Sequence, residues 1–316
     1  MFQRQRIRYA IAVGFAAVAL LLLMPGVAGA TATHPIPPAG ACKPFTALHA
    51  YDFGRSTRID NHFFPLTPGI QYVLEGRAST GGATLPHQVI FTVTDLVKKV
   101  DGIYNLVMHD VDISDGVKAE AELSFFAQDK TGNVWNLGEY PEEYENGAFV
   151  GAPKTWISGQ HALGGVHMPA HPQLGTPRYS QGYAPAIDFL DCAQVFADHQ
   201  TVCVPVQCYS DALVTDETSP LADPNAHQRK YHAPGVGIVQ VGAVDDPEGE
   251  TLVLISRKHL NQHALAQIRE DALRLERRAY QINVAYRQTS PAVRCEPADS
   301  DDRIARDRLD DPLICP

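Results

Sequence analysis

The chain of 316 residues carries a formal net charge of −10 and is 45% hydrophobic, so it can bury a large core in one or two domains. The acidic balance argues against nucleic acid or an anionic membrane surface as a partner. No internal repeat occurs at the periods that mark solenoid proteins.

Residues 1–30 have the organisation of a signal peptide. Arg4, Arg6 and Arg8 precede an apolar run over residues 10–23, and residues 28–30 (Ala-Gly-Ala) offer a cleavage site of small residues. The apolar run is short for a membrane span, so an uncleaved anchor is the less favoured alternative. The sequence therefore predicts an extracytoplasmic protein, periplasmic or secreted, with no membrane span after cleavage.

Residues 31–58 are predicted to be a proline-rich leader. All six cysteines follow the predicted cleavage site, and an even number in an exported chain favours disulfides. Cys203 and Cys208 flank a predicted tip between two strands, so we predict that they are bonded to each other. Cys295 and Cys315 lie near the ends of the acidic tail, residues 291–316, which we expect to be tethered by a disulfide.

Residues 59–256 have the pattern of an antiparallel β domain. Apolar and polar residues alternate over 117–127, turn residues follow at 129–133, and a second strand begins at 134, which together predict a β-hairpin. Further short strands, separated by Gly, Asn, Asp and Pro turns, precede and follow it. Gly151–Pro185 is rich in Gly, Pro and His and is predicted to be a long loop of the kind that often carries function.

Residues 257–290 contain the last predicted element, an amphipathic helix from Lys258 to Gln288. Apolar residues recur there every three or four positions, without Pro or Gly. The predicted fold is mainly β, a curved antiparallel sheet or half-barrel with one long C-terminal helix. We expect the helix to pack on the domain, against or beside the sheet, through Leu260, Ala264, Ile268, Leu275 and Ile282.

Four segments carry a resemblance to known proteins: IDNHFFPLTPGIQYVLEG (59–76), FFAQDKTGNVWNLGE (125–139), VCVPVQCYSDALVTDE (202–217) and KYHAPGVGIVQV (230–241). Together they resemble a group of exported, mostly uncharacterised bacterial β-rich proteins, similar to the half-barrel sheets of LolA-like lipoprotein carriers. The resemblance stops before the predicted helix. It implies a curved sheet and supplies no catalytic residues.

Histidines are the first candidates for a ligand site. His87 shares strand parity with Val89, and His109 shares it with Val107, so both are expected to point to the apolar face of their strands. Two inward histidines could bind a metal, a haem or a polar ligand group. Because no carboxylate or thiolate accompanies them, two separately satisfied histidines are the favoured interpretation, and no metal or cofactor is predicted.

The predicted loop and its neighbours supply further candidates for ligand binding. His167 and His171 are four residues apart, but Pro169 between them prevents the helical geometry of a zinc-protease pair. A solvated loop is the favoured interpretation of these histidines. Trp135 and Tyr183 complete the set of ligand-binding candidates.

Four carboxylates raise the question of acid–base chemistry. Asp110 and Asp112 could face Glu120 and Glu122 across a strand pair, as the carboxylates of glycosidases face each other. All four occupy the polar parity of their strands, so solvated residues on an outer sheet face are the favoured interpretation.

Two functions remain open from the sequence. The preferred one is non-catalytic: an exported β protein that binds an apolar or amphiphilic ligand, or a partner in the cell envelope. The alternative is a secreted hydrolase that uses His and carboxylate residues near the 151–185 segment. That alternative requires His167 or His171 within hydrogen-bond reach of a carboxylate in a cleft.

Overall fold

The computed structural model describes Pro35, Pro38 and residues 42–80, 83–246, 249–297 and 314–315. The predicted signal peptide lies outside the described residues, as do most of residues 31–41 and most of the acidic tail. Within the described ranges, no helix has the length and apolar character needed to cross a membrane.

The described residues are mainly strand, with one α-helix, α1 (Gln262–Ile282). The strands are β1 (Lys43–Pro44), β2 (Ile70–Thr80), β3 (Ala83–Val100), β4 (Ile103–Ser114), β5 (Val117–Gln128), β6 (Val134–Glu145), β7 (Ala148–Gly151), β8 (Trp156–Ile157), β9 (Leu163–Met168), β10 (Tyr179–Ala184), β11 (Phe189–Cys203), β12 (Cys208–Ser219), β13 (Asp223–Ala233), β14 (Gly237–Val244), β15 (Thr251–His259), β16 (Val293–Arg294), β17 (Glu296–Pro297) and β18 (Ile314–Cys315).

Twelve of these strands close into an antiparallel barrel. Hydrogen bonds run from β10 through β11 to β15, then to β2 and on to β6. Strand β9 pairs with both β6 and β10 and so completes the ring. The mainly β class is therefore confirmed, whereas the prediction of an open curved sheet or half-barrel is wrong, because the sheet closes on itself.

Closure depends on the segment that was predicted to be a long loop. Gly151–Pro185 contains β8, β9 and β10, so the loop prediction is wrong for these strands. Its glycines have no side chains, so the alternation that marks a strand is hidden in the sequence. Glycine is needed at two of these positions because the backbone of a neighbouring strand approaches closely. A Cβ atom on Gly165 would lie 2.4 Å from the carbonyl oxygen of Ser180, and one on Gly164 would lie 2.9 Å from that of Asn136.

The two faces of β4 and β5 pack into separate cores. Leu106 and Phe126 point into the barrel, whereas Val107 and Phe125 point outwards, towards α1. Both faces are thus covered, one by the opposite wall of the barrel and the other by the helix. The alternation in the sequence therefore separates an inner face from an outer apolar face.

The segment at residues 59–69 contributes Ile59, Phe64 and Leu66 to the inner core of the barrel. Asn61 donates hydrogen bonds to the carbonyl oxygens of Gly132 (2.9 Å) and Pro169 (3.0 Å), and its Oδ1 accepts from the backbone of Phe63 (2.9 Å) and Phe64 (3.1 Å). These bonds tie the segment to the turn that joins β5 to β6. Phe64 then enters the inner core, where its ring lies 5.3 Å from that of Phe126.

Helix α1 packs on the outside of the barrel, as the apolar stripe predicts. Ala272, Leu275 and Ala279 are buried against the outer core, whereas Ile282 is 47% exposed. The helix is shorter than predicted, with 21 residues and a length of about 32 Å. Lys258 belongs to β15 and pairs with β2, so the helix begins only after Asn261, whose side chain accepts a hydrogen bond from the Ala264 amide.

A buried ion pair anchors the helix to β3. The Lys98 Nζ lies 2.8 Å from the Glu276 Oε1, and the side chains are 0% and 7% exposed. Lys98 also donates to the Tyr280 hydroxyl (3.0 Å) and to the carbonyl oxygen of Ser290 (2.8 Å). Burial lowers the pKa of Lys98, and the charge of Glu276 opposes this effect.

Two disulfides join described cysteines. Cys203 is bonded to Cys208, which confirms the prediction, and Cys42 is bonded to Cys192, which connects the N-terminal segment to β11. Cys295 is also disulfide-bonded, but the side chain of Cys315 lies outside the described part of the chain. The two bonds fit the predicted extracytoplasmic location, since disulfides persist mainly in oxidising compartments.

Candidate ligand-binding cavity

A cavity of about 280 Å³ lies inside the barrel and has an apolar floor. Phe64 and Leu66 of the 59–69 segment form part of this floor, together with Met108 and Phe126. The 59–69 segment therefore contributes to the lining of the cavity. Its volume lies near the lower end of the range for small-molecule sites, so the cavity fits a small ligand.

The walls of the cavity are acidic. Successive inward positions of β4 and β5 carry Asp110, Asp112, Glu120 and Glu122, and the strand register places Asp110 opposite Glu122 and Asp112 opposite Glu120. Further carboxylates reach the same cavity from other strands and from one loop: Glu139, Asp191, Glu217 and Glu250.

The interpretation of the first four carboxylates as solvated outer-face residues is therefore wrong. The four carboxylates do lie on the same face of their strands, as predicted, but that face points into the barrel. The physical reason is that α1 covers the apolar face of β4 and β5 on the outside. The polar face is consequently enclosed by the other wall of the closed sheet.

Burial and mutual repulsion raise the pKa values of these carboxyl groups. The pKa of Asp110 is raised well above its usual value by burial and then by the charges of Asp112 and Glu120. The pKa of Glu122 is also raised well above its usual value by burial, then by Glu139 and Asp110. Burial and neighbouring carboxylates raise the pKa of Glu120 to about 7. These shifts favour the protonated forms, and Glu120 is partly protonated near pH 7.

His87 joins this cluster from β3. Its Nε2 lies 3.0 Å from the Glu250 Oε1 and 3.9 Å from the Asp112 Oδ2. Burial raises the pKa of Asp112 to about 6, while His87 opposes the shift and Glu250 adds to it. The carboxyl groups at this end of the cavity are therefore partly balanced by one histidine.

A charged pair lies on the β12–β13 side of the cavity. The Lys230 Nζ is 2.6 Å from the Glu217 Oε2. Burial alone would raise the pKa of Glu217, but Lys230 and His167 outweigh it and hold the pKa at about 2. Burial lowers the pKa of His167 to about 4, so this ring is neutral at neutral pH.

Two further carboxylates are held by hydrogen bonds. Glu139 accepts from the Asn136 amide (2.5 Å) and the Trp156 indole (2.9 Å). Asp191 accepts from the Ser219 hydroxyl at 2.5 Å. Burial still raises the pKa of Asp191 to about 7, because its hydrogen bond offsets only part of the desolvation.

The structure brings together only part of the predicted set of site residues. His167 lines the cavity, and His87 contacts two of its carboxylates. His109 is buried on the same apolar face as Val107, as predicted, but that is the outer face beneath α1, so His109 does not meet His87. His87 is opposite Ser114 of β4 on the inner face, whereas His109 occupies an alternate position of β4 and so points outwards.

The other three predicted site residues lie away from the cavity. Trp135 belongs to the outer core, and its indole donates to the Asp129 Oδ2 at 2.9 Å. Tyr183 packs beside the Cys42–Cys192 disulfide. His171 is exposed on the surface. Of the six candidates, only His87 and His167 lie at the cavity, and for these two a ligand-binding role stays a prediction.

The sequence did not identify five of the residues that line the cavity: Glu139, Asp191, Glu217, Lys230 and Glu250. No spacing sets them apart from other charged residues of their strands or loops, such as Asp216 beside Glu217. They meet because closure brings strands that are distant in the sequence around one cavity. Among the described residues, no group of three or more His, Cys, Asp or Glu has the arrangement of a metal site.

Comparisons with known proteins add little. No family model matches the sequence, and no curated protein matches it significantly. Two crystal structures show a limited similarity: a candidate lipoprotein from Parabacteroides distasonis (14% identity, TM-score 0.31) and a candidate exported protein with a YmcC-like fold from Bacteroides fragilis (11% identity, TM-score 0.29). Each comparison covers 63% of this chain and 99% of the other. At these TM-scores the similarity carries no argument about function, and the LolA-like resemblance is not confirmed.

Proposed function

We propose that the protein is an exported binding protein that holds a small amphiphilic molecule inside the barrel. The observation that carries this proposal is the barrel cavity of about 280 Å³, which combines apolar and acidic lining residues. Ligand sites are typically concave, with apolar surface for affinity and a few polar groups for orientation. The apolar part of the ligand would lie on Phe64, Met108 and Phe126, and its polar group would reach Asp112 and Glu120.

Two other functions have less support. The apolar stripe of α1, which could have docked a cell-envelope partner, is covered by the barrel at Ala272, Leu275 and Ala279. A hydrolase would need a carboxylate bonded to His167 or His171. The Nε2 of His167 has no hydrogen-bond partner among the described residues, and His171 is exposed. The ligand cavity is therefore the better-supported site.

Native mass spectrometry of the exported protein tests the proposal first. We expect a bound small molecule in the protein purified under mild conditions, released on denaturation. The protein stripped of this molecule should bind Nile red, a neutral apolar dye, with an increase in fluorescence. The dye serves as a probe for the apolar floor.

A variant that fills the cavity provides the specific test. Ser124 is buried and lines the cavity, so Ser124→Leu should reduce dye binding at least tenfold while the protein stays folded. Ser210 is exposed, and Ser210→Leu should leave dye binding unchanged. If Ser124→Leu does not fold, Gln181→Met offers a second change in the cavity wall. Dye binding that is equal in a folded cavity variant and the wild type would overturn the proposal.

A further inference from the structure

The cavity has many carboxyl groups and few cations. Among the described residues that line it, eight are Asp or Glu and one is a lysine. Lys230 is bound to Glu217 at 2.6 Å, and burial lowers the pKa of His167 so that its ring is neutral at neutral pH. The remaining carboxyl groups of the wall thus face the cavity without a matching lysine or arginine in the described lining.

We propose that the ligand of this cavity carries an organic cation, an amine or a quaternary ammonium group, which lies between the Asp110–Glu122 and Asp112–Glu120 pairs. This inference rests on the proposed function and adds the charge of the ligand to it. The members of each pair are directly opposite on adjacent strands. Their Cβ atoms are therefore about 5 Å apart, so one cationic group can contact both carboxyl groups of a pair.

An unsatisfied polar atom in the wall supports a donor or a positive charge in the ligand. The Oδ1 of Asp110 is shielded from solvent and makes no hydrogen bond of normal geometry with the described residues; the Ser124 hydroxyl is near enough to lower the Asp110 pKa, but it is the smallest of the influences on that group. Buried acceptors without a partner are rare because they lose their hydration without compensation. The N–H of a protonated amine would satisfy this acceptor, and a quaternary ammonium group would balance its charge without a hydrogen bond. A carboxylate in the ligand would instead add repulsion.

The aromatic lining favours an organic cation over a bare metal ion. Tyr72, Phe64, Phe91 and Phe126 line the same cavity as the carboxyl groups. Aromatic faces attract organic ammonium groups through cation–π interactions, most strongly when the group is desolvated. The described residues also contain no cluster arranged as a metal site. The site therefore fits a molecule with an apolar body and a cationic end.

Binding of a cation should release protons from the cavity. The pKa of Glu120 is raised to about 7 and that of Asp112 to about 6, mainly by burial, so these groups hold protons below neutral pH. A bound cation favours their ionised forms. The other titratable groups that face them come from several elements: His87, Asp110, Glu122, Glu139, Glu143, His167, Asp191, Glu217, Lys230 and Glu250.

Three probes with similar alkyl chains and different head-group charges separate the charge of the ligand from its apolar character. We would titrate the stripped protein with hexyltrimethylammonium, 1-hexanol and hexanoate by isothermal titration calorimetry at pH 7.5. The ammonium compound should bind at least tenfold more tightly than the alcohol, and hexanoate should bind most weakly. Divalent calcium is included as a competitor, and it should not displace the ammonium probe.

The pH dependence supplies a second readout. The charge of hexyltrimethylammonium does not change with pH, so any change in its Kd comes from the protein. The Kd should fall by about tenfold per pH unit between pH 5 and pH 6 for each proton released. Titrations in two buffers with different ionisation enthalpies measure that proton release directly.

Matched variants locate the cation. Glu120→Gln and Glu122→Gln should each weaken ammonium binding at least fivefold and leave binding of hexanol unchanged. Glu145 is exposed outside the cavity, so Glu145→Gln should bind both probes as the wild type does.

The possible results distinguish the two proposals. Equal affinity for the ammonium compound and for hexanol, or stronger binding of hexanoate, would overturn the proposal that the ligand is cationic. The proposed binding of an amphiphile would not be affected. Displacement of the ammonium probe by calcium would overturn the proposal of an organic cation, because it would show that the carboxyl groups bind a metal ion. Failure of all three probes and of Nile red would overturn the proposed function itself.

Discussion

Asp110 and Glu122 lie directly opposite each other on β4 and β5, with both side chains inside the barrel. Two ionised carboxylates at this position would repel each other. Burial and neighbouring charges raise the pKa of both groups well above their usual values. Strongly shifted pKa values cluster at functional sites, where burial and like charges are arranged around ionisable groups.

Replacing Glu120 by Gln should stabilise the unliganded protein at high pH. Burial and neighbouring carboxylates raise the pKa of Glu120 from 4.5 to about 7. A raised carboxyl pKa has no effect on stability below about pH 4, lowers stability as the pH rises from about 4.5 to 7, and has its full effect above that range. Because Glu120 is partly solvated, we expect Glu120→Gln to gain about 2 kcal/mol at pH 8.

Thermal unfolding at pH 4 and pH 8 checks this expectation. The Tm of Glu120→Gln should exceed that of the wild type by about 4–8 °C at pH 8 and match it at pH 4. The exposed Glu145→Gln is the control and should match the wild type at both values. A gain of equal size at both pH values would show that the charge of Glu120 is not responsible.

Replacing Lys98 by Met should destabilise the protein by about 3–5 kcal/mol. The change leaves Glu276 buried without its cation, since the two atoms are 2.8 Å apart beneath α1. Glu276→Gln in the same chain should restore most of the loss, because Gln keeps the acceptor for the Ala292 amide. Urea unfolding of the wild type, both single variants and the double variant measures this coupling. A double variant as unstable as Lys98→Met would contradict it.

Replacing Gly165 by Ala should weaken the closure of the barrel. The new Cβ would lie 2.4 Å from the Ser180 carbonyl oxygen, and a backbone atom cannot move aside as a side chain can. We expect a loss of more than about 3 kcal/mol in the free energy of unfolding, at the upper end for overpacking. Gly242→Ala is the matched control, because nothing lies within 4 Å of the position of its Cβ. Equal stability of the two variants would show that β9 tolerates a wider spacing.

Replacing Leu275 by Asp should lower the Tm more than any other change on α1. Leu275 is buried against the outer core, so the new charge would have no partner. Ile268→Asp should cost less, since Ile268 is half-buried, and Ile282→Asp should be close to neutral. Circular dichroism during heating ranks the three variants. A neutral Leu275→Asp would mean that α1 does not rely on this contact.

The sequence by itself determined the local features of this protein. The period of two in β4 and β5 places Asp110 with Asp112, and Glu120 with Glu122, on one face, because side chains alternate along a strand. Turn residues mark the hairpin between β5 and β6, and the helical period marks α1. The bond between Cys203 and Cys208 also follows from residues that are close along the chain.

Only the tertiary structure decided which face of each strand is inside. The apolar face of β4 and β5 could have been the interior, but α1 covers it from the outside, and closure through β9 and β10 encloses the polar face instead. Contacts such as that between His87 and Glu250 join residues far apart in the sequence. The period of two in the sequence shows that the two faces of a strand differ. The packing of elements that are distant in the sequence determines which face lines the cavity.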